Sequence, residues 1–189
     1  LDLKDNVILI LNTNKRRDLV TSKYNERCEE CATGLKIVQE NYKNVKFLCE
    51  LEETDLEAIK PLIENEIVYN RVRHVVSEMA RVKKAFACLT EGDLETVGKL
   101  LNASHHSLQY DYEVTGKELD TIVSVAQSCD GVLGARMIGA GFAGCAIAIV
   151  KASEVEKVTE KVKDGYLAEI GYACDIYVAQ TSNRTERIG

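Results

Sequence analysis

Val68, Val72, Val75, Met79, Val82, Phe86 and Leu89 recur at alternating steps of four and three, without a proline or glycine between them. A strand repeats every two residues, so only a helix can gather this set on one side. A helix this long with one apolar stripe needs another surface to cover it. The pattern stops at Gly92, and Asp93 is placed to cap a following helix that runs to about Leu108. The chain is therefore read as layered, with long helices laid on something else.

Short apolar runs supply that second layer. Val7–Leu11 follows Asp5-Asn6 and precedes the polar stretch Asn12–Asp18, which reads as strand then loop. Cys145–Val150 and Ala173–Gln180 read as two further strands, with a helix from about Ser153 to Lys163 between them. Tyr24, Cys28, Cys31, Leu35, Val38 and Tyr42 give one face of a long helix beginning near Ser22. Val45–Leu51 is strand-like or irregular, and a short helix at about Asp55–Ile59 ends near Pro61, the only proline. Thr115-Gly-Lys-Glu118 has capping-box spacing for a helix from about Gly116 to Gln127. Strands at both ends with helices between argue for an α+β fold. No low-complexity linker divides the 189 residues, so one domain is the economical reading.

Charge and cysteine usage narrow the class. A net charge of −6 offers no electrostatic attraction for nucleic acid or an anionic membrane. No apolar run nears the roughly 18 residues needed to cross a bilayer. Seven cysteines, an odd number, with no secretory signal read as reduced thiols in a cytoplasmic protein. The chain opens on Leu1 rather than Met, as a piece of a longer protein would. Cys28-Glu-Glu-Cys31 has metal or redox spacing, but no second pair or histidines follow at zinc spacing. It is read as two small apolar residues on one helix face.

Gly134, Gly139, Gly141 and Gly144 fall within eleven positions, in the stretch GARMIGAGFAGC, just before the strand at Cys145. This is neither a Walker A loop nor a dinucleotide fingerprint, because it lacks G-K-[ST] and feeds a strand rather than a helix. Its N–H groups suit an anion or another backbone; a tight turn with a packing contact is the equally weighted alternative.

GARMIGAGFAGCAIAIV resembles the third motif of the GHMP small-molecule kinases, in its galactokinase form. Four more stretches stand in the same order. Asn12-Thr-Asn-Lys-Arg through Ser22-Lys-Tyr-Asn-Glu-Arg27 is similar to the segment opening a galactokinase's C-terminal half. Arg71-Val-Arg-His-Val-Val-Ser-Glu78 is similar to its R-x-R-H-V-V-x-E helix. Ser104-His-His-Ser-Leu, then Asp111-Tyr-Glu-Val-Thr115 with Glu118-Leu-Asp120, complete the set. The family's sugar signature, its serine-rich phosphate loop and its catalytic aspartate belong to an N-terminal half, and none appears here.

The resemblance implies a ferredoxin-like antiparallel sheet packed against helices. It also implies an ATP- and magnesium-dependent sugar 1-kinase acting on galactose, with its own N-terminal domain as partner. That half would bind most of the nucleotide and metal, so this chain alone is expected to lack activity and to carry no catalytic residue of its own. Tyr24 resembles the tyrosine whose hydroxyl meets the sugar; the alternative is a core residue on its helix stripe. Arg16 resembles an arginine near the active centre, or is a solvated loop cation between Lys15 and Arg17. Gly134, Gly139, Gly141, Phe142 and Gly144 match the third motif, with Gly139 and Gly141 beside the sugar. Ala140 and Ala143 depart from the glycines frequent there, which is tolerable only at negative φ. His74 and Glu78, with Arg71 and Arg73 upstream, read as a surface or interdomain ion-pair network rather than an acid–base pair. His105 and His106 point apart on a helix, so with Asp111 and Glu113 they read as structural, not as a metal site. Related kinases of N-acetylgalactosamine or arabinose, and non-catalytic sugar sensors that bind a regulator, remain alternatives.

Overall fold

In a computed structural model, residues 2–16 and 20–181 are described. Four strands, β1 (Asn6–Asn12), β2 (Val132–Met137), β3 (Cys145–Lys151) and β4 (Asp175–Ala179), form one antiparallel sheet in the order β2-β3-β1-β4. Six helices accompany it: α1 (Val20–Asn41), α2 (Leu56–Ile59), α3 (Glu66–Glu91), α4 (Leu94–Tyr110), α5 (Lys117–Gln127) and α6 (Val155–Ile170). The strand order and the β1–helices–β2–β3–α6–β4 connectivity are those of a ferredoxin-like α+β fold, as expected.

Alternation explains which way the sheet faces. Leu9 and Leu11 of β1 pair with Ala148 and Ala146 of β3, and all four point to one side. That side meets Leu119, Ile122, Val123 and Ala126 of α5 and Val158, Val162 and Tyr166 of α6, forming the largest buried cluster. A second cluster lies between α1 and α3, away from the sheet. Val38 of α1 packs there with Val68, Tyr69, Val72 and Val76 of α3 over Ile59 and Ile63.

Several local expectations are corrected. β2 was not foreseen, and Gly134 lies inside that strand rather than in the glycine loop. A Cβ at Gly134 would fall 2.0 Å from the Gly98 carbonyl oxygen, so glycine here permits α4 to touch the strand's backbone. A strand without bulky alternation carries no periodic signal. The apolar stripe of α3 has the right period but is only partly covered: Val82 is 53% and Phe86 75% exposed. The stripe of α1 likewise fails at its start, where Tyr24 and Cys28 are exposed; Arg27, Cys31, Gly34 and Val38 turn inward instead. The two cysteines therefore do not share a buried face. The capping box does not form, because Gly116 is the N-cap of α5 and no side chain caps it. Thr115 is buried and Glu118 reaches Lys15 instead. Of the two readings of Val45–Leu51, the irregular one holds, with a 3-10 turn at Leu48–Glu50. Helix α6 continues to Ile170, beyond the expected Lys163. Asn65 and Asp93 cap α3 and α4 through their side chains, and Gly92 closes α3 in the left-handed region.

Gly134→Ala is expected to destabilise the chain by about 1–3 kcal/mol, as overpacking against fixed backbone does. Phe86→Ser is expected to stay within about 0.5 kcal/mol. Thermal unfolding followed by circular dichroism checks the pair; equal losses would contradict the packing described.

Candidate functional site

The glycine loop joins β2 to β3 and is held at three points. At its base the Ile138 N–H donates to the Cys145 carbonyl at 2.9 Å. In its middle the Phe142 N–H donates to the Val114 carbonyl at 2.6 Å. At its end the Gly144 carbonyl accepts from both the N–H and the hydroxyl of Thr13, at 3.0 and 2.7 Å. The Thr13 carbonyl in turn accepts from the Tyr166 hydroxyl at 2.7 Å, which fixes the end of β1. The exposed tip of the loop is left to Ile138, Gly139 and Ala140.

What the loop approaches is therefore another stretch of backbone. Gly141 has φ +84°, and a Cβ there would lie 2.0 Å from the Val114 carbonyl oxygen. Phe142 also has positive φ, 61°, unusual for a bulky residue. Ala140 and Ala143 are not among the positive-φ residues, so neither methyl group strains the loop. The Ile138 and Phe142 N–H groups are engaged by carbonyls and are therefore not free to meet an anion. Among the described residues, no group of three or more His, Cys, Asp or Glu side chains is placed to hold a metal ion.

The start of α1 comes to the same place. Lys23 Nζ stands 5.7 Å from the centre of the Phe142 ring, a cation facing an aromatic face. Tyr24 follows it and is 52% exposed, so it is not a core residue of its helix. Arg16 is exposed in the loop after β1. Its neighbour Lys15 is tied to Glu118 at 2.8 Å, while Arg17 lies outside the described residues. The fold thus gathers the glycine loop and the first turns of α1 on one side of the molecule.

Behind this surface lies a polar network, and it is buried rather than superficial. The side chain of Arg71 is only 2% exposed. Its Nε donates to Glu30 at 2.7 Å, one terminal nitrogen to the Asp111 carbonyl at 2.6 Å, and the other to Glu113 at 2.5 Å. Arg27 also reaches Glu30. Burial alone would push the Glu30 carboxyl up, but the Arg71 and Arg27 guanidinium groups hold it below the usual carboxylate range. Arg73 is partly exposed and pairs with Asp111. Glu78 does not pair with His74; it accepts from Ser104, Arg81 and Arg136 at 2.6, 2.7 and 2.8 Å. His74 lies 2.9 Å from the Ser107 hydroxyl through Nδ1 and stacks on Tyr112 at 4.4 Å between ring centres. His105 Nδ1 accepts from the Met137 N–H at 3.2 Å, just before the glycine loop, while His106 packs on Tyr110. Cys31 Sγ lies 3.6 Å from the Tyr112 hydroxyl, and burial pushes its thiol up.

The sequence reading assigned no individual role to Glu30, Val114, Ser104 or Arg136, although each lies in a stretch it singled out. A backbone carbonyl leaves no mark in a sequence, and Glu30 sits inside the pair of cysteines that drew attention. Arg136 lies in the strand that was not recognised.

Burial lowers the pKa of both His74 and His105 to about 4. Glu78 and Asp111 pull His74 back up, Arg81 and Arg136 push it down, and Arg136 and His106 push His105 down. Both histidines are neutral in the fold, whereas in the unfolded chain they take up protons near pH 6.5. The unfolded state binds more protons between about pH 6.5 and 4, so stability falls as pH drops through that window. The slope is at most about 1.4 kcal/mol per pH unit for each histidine. Urea unfolding at pH 7 and pH 5 is expected to show lower stability at pH 5; equal midpoints would contradict neutral buried histidines.

Residues 83–167 match the family model for the C-terminal domain of GHMP kinases. A galactokinase of Streptococcus thermophilus is 50% identical over 182 residues, covering 96% of this chain and 47% of the relative. A galactokinase of Ligilactobacillus salivarius is 50% identical over 185 residues, covering 98% of this chain and 48% of the relative. The crystal structure of Lactococcus lactis galactokinase complexed with galactose superimposes with a TM-score of 0.91 at 47% identity, over 95% of this chain and 46% of that one. The mevalonate kinase of L. major shares the fold alone, with a TM-score of 0.54 at 20% identity, over 96% of this chain and 44% of that one. The chain spans about half the length of the curated relatives it matches. It is a homologue of the galactokinases over nearly all of its own length, with the fold of a GHMP kinase C-terminal domain.

Proposed function

We propose that this chain is the C-terminal domain of a cytoplasmic galactokinase, which transfers the γ-phosphate of Mg·ATP to the C1 hydroxyl of α-D-galactose. One observation carries the reading: the close superposition on a galactokinase that holds galactose, at 47% identity. In this reading residues 1–189 form a single domain and one wall of a cleft, with the exposed Tyr24 and the loop-tip Gly139 toward the sugar and Gly141, buried against the Val114 carbonyl, seating the loop directly behind. Arg16 adds positive charge at the rim, where charge develops during phosphoryl transfer. The partner is the enzyme's own N-terminal half, which holds the nucleotide and magnesium and supplies the base. Phosphoryl transfer depends on placing donor and acceptor against each other, so this wall positions the acceptor and the other half brings the donor. The family's third motif is represented by Gly134, Gly139, Gly141, Phe142 and Gly144, of which Gly134 serves the packing of β2 on α4 rather than a ligand.

Joined to the N-terminal half, the chain is expected to give galactose-dependent ATP consumption, while alone it gives none. Tyr24→Phe in the joined enzyme removes one hydroxyl from a rigid ring and is expected to raise KM for galactose about 3- to 30-fold, with kcat less affected, the scale of one lost hydrogen bond. Unchanged KM would remove Tyr24 from the sugar site. Absence of galactose-dependent turnover in the joined enzyme would refute the assignment.

A further inference from the structure

The polar network behind the loop connects the two elements that the proposed function places beside the sugar. Arg71, on α3, contacts neither of them at the surface. Its guanidinium reaches Glu30, two turns along α1 from Tyr24, at 2.7 Å. The same guanidinium takes the Asp111 carbonyl at 2.6 Å and the Glu113 carboxylate at 2.5 Å. The next residue, Val114, offers its carbonyl to the Phe142 N–H of the glycine loop at 2.6 Å. Phe142 closes the circuit by facing Lys23 of α1.

The backbone at both ends of the loop contact is strained. Glu113 has φ 53° and Phe142 has φ 61°, and neither is glycine. Such conformations persist only where surrounding contacts over-determine them. Arg71 grips the carbonyl two residues before Glu113 and the Glu113 side chain itself, so it supplies that determination on one side. Its planar fork suits this task, because it can address three oxygens in fixed directions where an ammonium group cannot.

We propose that Arg71 is a positioning residue. By clamping residues 111–114 between α1 and the glycine loop, it sets the spacing of Tyr24 from Gly139 and Gly141. The geometric part concerns this chain alone, and its consequence for sugar binding rests on the proposed function.

The test compares amide hydrogen exchange by NMR in wild-type chain, Arg71→Lys and the milder Glu113→Gln. Two amides are read: Phe142 in the loop and Ala148 in the buried sheet. Arg71→Lys is expected to speed exchange at Phe142 about tenfold or more, the scale of one lost charge-assisted hydrogen bond, and by a larger factor than at Ala148, whose rate follows opening of the whole domain. Glu113→Gln is expected to give the same pattern more weakly, and it decides the matter alone if Arg71→Lys does not fold. An unchanged Phe142 rate, or equal acceleration at both amides, would overturn the proposal, the latter by making Arg71 a general stabiliser. In the joined enzyme Arg71→Lys is expected to raise KM for galactose. A wild-type joined enzyme without galactose-dependent turnover would overturn the proposed activity and leave the exchange comparison to decide on Arg71.

Discussion

A single guanidinium, almost wholly removed from water, satisfies oxygens on two other segments of the chain, and the geometry of the loop surface follows from it. Taking a charge out of water costs several kcal/mol unless hydrogen bonds compensate at good geometry. Arg71 meets that condition with two carboxylates and one carbonyl. Because its partners come from α1 and from residues 111–113, the ion pairs also fix how those parts sit relative to α3. Removing one partner of a buried pair typically costs about 3–5 kcal/mol, since the other charge is left unpaired. The network is therefore a constraint on shape as well as a source of cohesion.

The glycine loop depends on this constraint from one side and on the sheet from the other. Thr13 and Tyr166 anchor its far end to β1 and α6, and His105 meets the strand residue just before it begins. Only the tip from Ile138 to Ala140 is unencumbered at the surface. A loop so held is pre-organised, which is what a substrate wall needs when catalysis depends on placement. The motif's glycines serve different purposes: Gly134, within β2, and Gly141, in the loop, admit neighbouring backbone, while Gly139 has nothing within 4 Å and faces open space.

Much of this is legible in the sequence. The four-three stripes located α1 and α3, the caps at Asp93 and Gly92 placed the α3–α4 junction, and the apolar runs located three of the four strands. The ordered motifs pointed to the glycine loop and Tyr24. What escaped notice shares a physical cause. The middle of β2 is Leu133, Gly134, Ala135 and Arg136, whose strand character comes from pairing with β3 rather than from alternation. Val82 and Phe86 keep the helical period, but period reports a face and not what covers it. The Val114 carbonyl is taken by Phe142, 28 residues further on, and Glu30 by Arg71, 41 residues further on, separations that no local pattern encodes.

Under the proposed function, the start of α1 and the glycine loop form one sugar-facing wall. The most direct measurement is a D-galactose titration of the joined enzyme, followed by the NMR signals of Tyr24, Gly139 and Gly141. All three are expected to shift together with a single apparent Kd, while amides of α6 remain in place. Galactose-dependent shifts that omit either Tyr24 or the loop glycines would contradict it.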